Sequence, residues 1–311
     1  MKERTGMTVK LVAIHLVLPV AVTVAAFFAS GDALLVNIIA QTTLLIVYLA
    51  GYWEFFGLKF RRLYLISLEI ILLAQLVCRI KAQTHFEFNL YFADALFAVE
   101  VFLLIQVVRV ATVIWKKEKD EIEIQFPLKG GKFLITDGGN SKISRLMNYH
   151  FWSANHRKNH TNNSMTYATD IVKIDPPYPS FLPPENTDYP VFGEQVYSPI
   201  DGTVVRVENS IPDNRPYAGN YPYNTGNTVV IKKDDLYFLL GHLKEGSIMV
   251  KSGDEVKAGE QIAQAGNSGM SERPHIHIQL VKSDDDNFWP GNGIPIRYGG
   301  KNLYKNRVIV I

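Results

Sequence analysis

The chain has 311 residues, 47% of them apolar, and its 32 Lys and Arg nearly cancel its 30 Asp and Glu. These averages exclude a disordered chain, a collagen-like chain and a nucleic-acid binder held by bulk positive charge. The single Cys excludes an intrachain disulfide framework and any Cys-cluster zinc site.

The length suggests two domains, and composition separates them near residue 118. Residues 1–118 hold 5 Gly and Pro, whereas residues 119–311 hold 32. The first half reads as a helical membrane unit. Residues 11–31 and 33–53 contain no charged group, and each is long enough to cross about 30 Å of hydrocarbon as a helix. Residues 63–78 and 91–115 are less pure candidates, carrying Glu69 and then Asp94, Glu100 and Arg109. A cleaved signal peptide is the rival reading of the first span, with Lys2, Arg4 and Lys10 as its basic start. No small-residue cleavage site follows it, and three more spans do. Glu100 is expected to face other helices rather than lipid, with Gln41, Thr42, Thr43 and Gln75 as candidate neighbours.

Basic loop residues predict sidedness. Lys2, Arg4, Lys10, Lys59, Arg61, Arg62, Lys116, Lys117 and Lys119 fall on the side of the N-terminus, against Arg79 and Lys81 opposite. With four spans, both termini would then be cytoplasmic.

The second half reads as a turn-rich antiparallel sheet domain. Residues 121–136 alternate apolar and polar and then turn at Gly130-Gly131, which predicts a hairpin. Asp201-Gly202 within residues 196–207 predicts a second hairpin. Residues 227–232 and 236–242 flank the turn Lys233-Asp234-Asp235. Further short strands are expected over 247–250, 261–265 and 275–281. Two long loops, 175–192 and 209–226, are expected to wall a groove.

The chemistry concentrates in histidines. In His275-Ile276-His277 the two imidazoles share one face of a strand, about 6–7 Å apart at Cα. His242 follows an apolar run and a Gly, and Asp170 lies within a strand pattern. Each residue alone has an ordinary structural explanation. Together, two His and an Asp with an open fourth position form the donor set of a catalytic zinc site, with further His free for proton transfer. His15 and His85 receive no role.

The phrases VYSPIDGTVVRV, GNTVVI, LLGHLKEGSIMVKSGDEVKAGEQIAQAGNSG and PHIHIQL, in this order, resemble the lysostaphin-type zinc endopeptidases, which hydrolyse bacterial peptidoglycan. The resemblance covers about residues 121–311 and leaves the membrane unit aside. It implies an α + β chain: a transmembrane bundle of about four helices over 1–118, and a mainly antiparallel β peptidase domain over 119–311. That domain would be of the duplicated hybrid-motif or barrel-sandwich type, with a core at about 160–285.

The resemblance further implies His277 and Asp170 as zinc ligands and His275 and His242 as catalytic residues. The usual first ligand, four residues before the Asp, is replaced by Thr166. A family variant with an Asn-His pair ahead of Tyr-Ala-x-Asp points to His160, with His156 as fallback; His150 is read as structural. One Zn2+ would bind per chain and activate a water for attack on a peptide carbonyl. His275 would move the proton to the leaving amine, and His242 would donate to the oxyanion.

The implied partners are peptidoglycan peptides and the lipid bilayer, with no nucleic acid. The implied place is a bacterial cell membrane, crossed several times. Family resemblance puts the peptidase domain outside, and the positive-inside count puts it in the cytoplasm. The alternatives are an inactive relative that binds wall material or a partner, and a zinc peptidase with a non-wall substrate. A lipoyl-type carrier domain, suggested by the Gly253–Gly259 phrase, finds no second phrase and leaves the His set unexplained.

Overall fold

A computed structural model describes residues 2–29, 33–81, 90–153, 163–217, 225–285 and 287–311. The chain packs as two compact units, residues 5–112 and residues 113–311 with the first four residues.

The first unit is helical. Helix α1 (Lys2–Val12) continues through a wider π-helical turn at Ala13–Val17 into α2 (Leu18–Phe28). Then come α3 (Ala33–Ala50), α4 (Leu58–Lys81) and α5 (Leu90–Trp115). Four helical stretches, Arg4–Phe28, Ala33–Ala50, Leu58–Lys81 and Asp94–Trp115, are long and apolar enough to cross a membrane. Small residues on α2 and α3 (Ala26, Ala40) let those helices approach, and Leu44, Val47, Trp53, Leu65 and Leu72 complete the buried cluster. Outward-facing side chains such as Phe28, Leu63, Phe97 and Val108 are apolar and exposed, as a lipid-facing surface requires.

The buried polar side chains of this unit are tied together across helices. Gln75 donates to the Ala26 carbonyl at 2.6 Å, and Asn37 donates to Gln75 Oε1 at 2.6 Å. Gln41 donates to Asn37 Oδ1 at 2.7 Å. Of the neighbours expected for Glu100, Thr42 is the one that donates to its carboxylate, at 2.9 Å.

The second unit is built on short strands and one single-turn helix, α6 (His150–Ser153). In chain order the strands are β1 (Ile122–Glu123), β2 (Lys132–Asp137), β3 (Thr169–Lys173), β4 (Gln195–Tyr197) and β5 (Gly202–Glu208). There follow β6 (Asn227–Lys233), β7 (Leu236–Leu243), β8 (Glu255–Val256), β9 (Gln261–Gln264) and β10 (Ile276–Lys282). The last are β11 (Asn292–Ile294), β12 (Ile296–Tyr298), β13 (Lys301–Asn302) and β14 (Val308–Val310). The main sheet runs β14-β2-β3-β10-β7-β6-β5-β8, with β11 also paired to β10. Its pairings are antiparallel, and no barrel closes among the described residues. Strands β4 and β9 form a separate pair, and β1 joins β12 and β13 with a parallel β1–β12 contact.

The turn before Leu236 forms as expected: Lys233 pairs with Leu236 around a two-residue loop in which Asp234 has φ 56°. The other two expected hairpins do not form. Gly130-Gly131 does turn, but β1 pairs with β12 and not with β2. Pro127 interrupts the first run: it has no N–H to continue a ladder, and its carbonyl takes the Tyr197 N–H instead. At Asp201-Gly202 the chain turns a corner between sheets, β4 joining β9 and β5 joining β6. There the Asp201 carboxylate accepts the Ala258 N–H at 2.8 Å, and a Cβ on Gly202 would meet the Lys232 carbonyl at 2.4 Å. The 247–250 segment forms no strand.

The central strands are buried on both faces. Opposed residues share a face, so Phe238, Leu240, Ile276, Ile278 and Leu280 lie on one side. His277, Gln279, Leu239 and Tyr237 lie on the other. The second face is apolar at one end, where Val230, Tyr237, Leu239, Val281 and Phe288 pack together. It is polar at the other, where the candidate site lies. Leu239→Ala empties the centre of the apolar end and is expected to cost about 2–5 kcal/mol. Urea unfolding of the purified chain in detergent, followed by tryptophan fluorescence, checks it.

Candidate metal centre

Strand register builds the site. On β10, His277 stands directly opposite Asp170 of β3 on one side and Gly241 of β7 on the other. The imidazole and the carboxylate therefore project from the same face of adjacent strands, and His277 Nδ1 lies 3.0 Å from Asp170 Oδ1. His277 Nε2 lies 3.1 Å from Gln279 Oε1, two residues along on the same face. With Nε2–H donated to that amide oxygen, the Nδ1 lone pair faces the carboxylate.

A third group arrives from α6. His150 Nε2 sits 3.2 Å from Asp170 Oδ1. Its Nδ1 lies 2.8 Å from Asn148 Oδ1, an oxygen that can only accept, so Nδ1 carries the hydrogen and Nε2 is the atom turned to Asp170. Asn148 is itself fully buried, donating to the carbonyls of Gly139 at 2.7 Å and Ala168 at 2.8 Å. One donor atom each from His150, Asp170 and His277 lies within 4.8 Å of the others. With a divalent cation they are a two-nitrogen, one-oxygen set of the kind zinc takes, so the residues fit the ion that the resemblance implies.

His242 and His275 flank this set. Their ring centroids are 4.7 Å apart, and His242 lies 5.7 Å from His277. His242 follows Gly241 at the end of β7 with φ 57°, a left-handed conformation that costs a non-glycine residue of order 1 kcal/mol or more. It is held there from both sides, its N–H donating to the Thr225 carbonyl and its own carbonyl accepting the Gly266 N–H. Its Nδ1 donates to the Ser268 carbonyl at 2.8 Å, leaving Nε2 for the site. His275 Nδ1 donates to the Arg273 carbonyl at 2.8 Å, and its Nε2 is 3.5 Å from Asp170 Oδ1.

The segment 266–271 fixes both flanking residues. Ser268 holds His242 through its carbonyl, while its hydroxyl donates to the Leu243 carbonyl at 2.7 Å and accepts the Asn227 N–H. Asn267 Oδ1 accepts the Ser271 hydroxyl at 2.7 Å, and that hydroxyl lies 3.2 Å from His275 Nδ1. Asn267 also donates to Asn186 Oδ1, which ties in the 175–192 loop. Asn214 donates to the Gly269 carbonyl, which ties in the 209–217 segment. Tyr217 is buried, with its hydroxyl 3.5 Å from that of Tyr189. Tyr221 and Tyr223 lie outside the described residues.

Burial and charge set the protonation. Burial alone would raise the Asp170 carboxyl, but His150 and His275 outweigh it and hold the group well below the usual carboxylate range. Burial, reinforced by His275 and His277, pushes His242 well below the ordinary imidazole value, so it is neutral. Burial also lowers His277, against the opposing pull of Asp170. At His150 burial acts downward but Asp170 prevails, and the group is raised.

Four of the five expected site residues, His242, His275, His277 and Asp170, converge. The fifth, His160, and its fallback His156 lie outside the described residues. His150, read from the sequence as structural, is the residue that the structure brings within reach of Asp170 and His277. An Asn immediately before a His drew attention to 159–160, whereas in Asn148-Tyr149-His150 the Asn stands two residues ahead. That spacing lets its side chain reach both the His150 N–H at 3.1 Å and the ring.

Residues 186–290 match the model of Peptidase family M23. Over 113 residues the chain is 34% identical to the peptidoglycan DD-endopeptidase ShyA of Vibrio cholerae, covering 36% of this chain and 23% of that protein. Over 88 residues it is 33% identical to the lipoprotein NlpD of Yersinia enterocolitica, covering 28% of this chain and 78% of that one. The chain belongs to peptidase family M23. A zinc-containing peptidase from Vibrio cholerae is 25% identical with a TM-score of 0.31, over 50% of this chain and 35% of that one. The chain spans less than a quarter of ShyA's length. The family match includes His242, His275 and His277 but begins after Asp170 and His150.

Gly226 gives a test of the loop that holds His242. It has φ 62°, and a Cβ there would meet the Ser268 backbone at 2.4 Å. Gly226→Ala is expected to destabilise the domain by about 1–3 kcal/mol, read as a lowered thermal midpoint.

Proposed function

We propose that the chain is a membrane-anchored zinc metalloendopeptidase that cleaves D,D cross-links between peptidoglycan stem peptides, with residues 1–118 as anchor and 119–311 as peptidase domain. The observation that carries this reading is the convergence of His150 Nε2, Asp170 Oδ1 and His277 Nδ1, flanked by the Nε2 atoms of His242 and His275. The names of the relatives supply the substrate class.

His150, Asp170 and His277 would hold the zinc, which supplies Lewis acidity toward a water and toward the scissile carbonyl. The other steps belong to the chain's own groups. His275, anchored through Nδ1, presents Nε2 to take a proton from the attacking water and pass it to the leaving amine. His242 is neutral with its hydrogen on Nδ1, so it enters the reaction as a proton acceptor. The hydrogen bond to an oxyanion implied by the resemblance needs the proton that His242 first accepts. Preorganisation by the 266–271 segment means neither ring must reorient during the reaction.

His277→Ala, Asp170→Ala and His150→Ala are expected to lose zinc, and His160→Ala to keep it. His242→Ala is expected to keep zinc and lose about two to three decades in turnover on purified sacculi. Metal analysis and release of uncross-linked muropeptides are the measurements; full zinc content in Asp170→Ala would overturn the ligand set.

The four apolar helices supply the anchor, and wall hydrolysis requires residues 119–311 to face outward, against the positive-inside count. A reporter fused after Ile311 is expected to be active only outside the cytoplasm. A cytoplasmic signal would remove peptidoglycan as substrate and leave the peptidase chemistry standing.

A further inference from the structure

A second carboxylate lies buried beside the metal centre. Asp137 ends β2, and a bulge after Ile135 brings it directly opposite Asp170 of β3, so the two carboxylates project from the same face. Asp137 is 9% exposed, and its Oδ1 has no hydrogen-bond partner among the described residues. The cation paired to it is Lys305, 1% exposed, with Nζ 3.9 Å from Asp137 Oδ1.

Backbone contacts hold this arrangement in place. Ile135 N–H donates to the Arg307 carbonyl, and Asn306 N–H donates to the Ile135 carbonyl, which pins the turn bearing Lys305 against β2. Gly138 N–H donates to the Met147 carbonyl, and the Gly139 carbonyl accepts from Asn148, which orients His150. A Cβ on Gly138 would meet the Leu303 carbonyl at 2.7 Å. The short stretch 137–139 is therefore where the β2 end, the His150 segment and the Lys305 turn cross. None of it lies within the matched residues 186–290.

A buried ion pair is a costly way to fill a core, since apolar residues of similar volume serve stability as well or better. Its position beside a cation site gives it another use. The pair is asymmetric toward the site: Asp137 stands directly opposite Asp170 in the sheet, whereas Lys305 comes from the turn ahead of β14. We propose that Asp137 is an outer carboxylate of the metal centre, a positioning residue whose negative charge raises the affinity of His150, Asp170 and His277 for a divalent cation, and that Lys305 limits this charge. The inference rests on the zinc reading above and concerns cation affinity rather than a step of hydrolysis.

The test is zinc affinity of the purified full chain in detergent, by competition with a chromophoric chelator. Asp137→Asn is expected to bind zinc about tenfold more weakly than the parent, the lower end of what loss of an outer-shell partner costs. Lys305→Met is expected to shift affinity the other way, toward tighter binding. A merely structural pair would weaken zinc binding in both variants, because either change would disturb the site; that result, or unchanged affinity in Asp137→Asn, overturns the inference. Should Lys305→Met not fold, the double variant Asp137→Asn/Lys305→Met leaves no buried charge unpaired. It must then still bind several-fold more weakly than the parent. A parent that binds no zinc would instead sink the zinc reading itself.

Discussion

The site depends on the pairing of β3 with β10. Because His277 is opposed to Asp170, a two-residue spacing along β10 decides which imidazoles enter the site. A one-residue slip of β10 would turn His277 away from Asp170 to the opposite, apolar face and bring Ile276 or Ile278 into its place. That slip is prevented by burial on both sides, since Ile276 and Ile278 are fully buried on the other face. The hydrophobic core thus fixes the geometry of the candidate site: the same alternation that hides three aliphatic side chains of β10 aims one imidazole at one carboxylate. Gly241 stands opposite His277 on β7, where a Cβ would meet the Thr225 carbonyl at 3.1 Å.

Around this register the protein holds polar groups that have no place in a core. His242, His275 and Asn267 are buried, yet each is oriented by a carbonyl, hydroxyl or amide, and the loops supplying those groups are bonded to one another. The Gly-Asn-Ser-Gly segment has a physical explanation in these terms. Its Asn side chain holds the Ser271 hydroxyl beside His275, its Ser carbonyl holds His242, and Gly266 sits where a Cβ would strike the Lys244 backbone at 2.4 Å. A set of imidazoles held this way is preorganised, at the cost of a strained His242 backbone.

Much of this was legible in the sequence, for identifiable reasons. Alternation placed His275 and His277 on a strand facing one way, and a strand pattern around Asp170 placed it on a neighbour. Local chemistry also fixed the Asp234-Asp235 turn, because a short polar loop between two apolar runs has few other solutions. The failures are equally physical. The Gly130-Gly131 and Asp201-Gly202 turns both occur, but the strands beyond them pair with residues distant in sequence, the C-terminal strand and β6. Turn chemistry specifies that a chain reverses and says nothing of its later partner. His150 was missed because its role comes from α6 docking 20 residues ahead of Asp170, an arrangement with no sequence periodicity to announce it. Its local signal, an Asn two residues ahead reaching the ring nitrogen, becomes readable once the spacing is understood as a hydrogen bond.

The helical unit obeys a similar rule. Where the β unit buries polar groups to orient chemistry, the helices bury theirs to fix one another: the Asn37 side chain joins α3 to α4, Gln75 joins α4 to α2, and Thr42 joins α3 to α5. In an apolar medium, packing and such bonds replace the hydrophobic force between helices. A single span would anchor a peptidase, and it would need no interhelical bonds. Each of these bonds instead restricts the orientation of one helix against another. The chain has spent buried amides on making four helices one body, so the unit presents a fixed surface to whatever surrounds it. Glu100 fits that role, since its Oε1 accepts from Thr42 of the neighbouring α3.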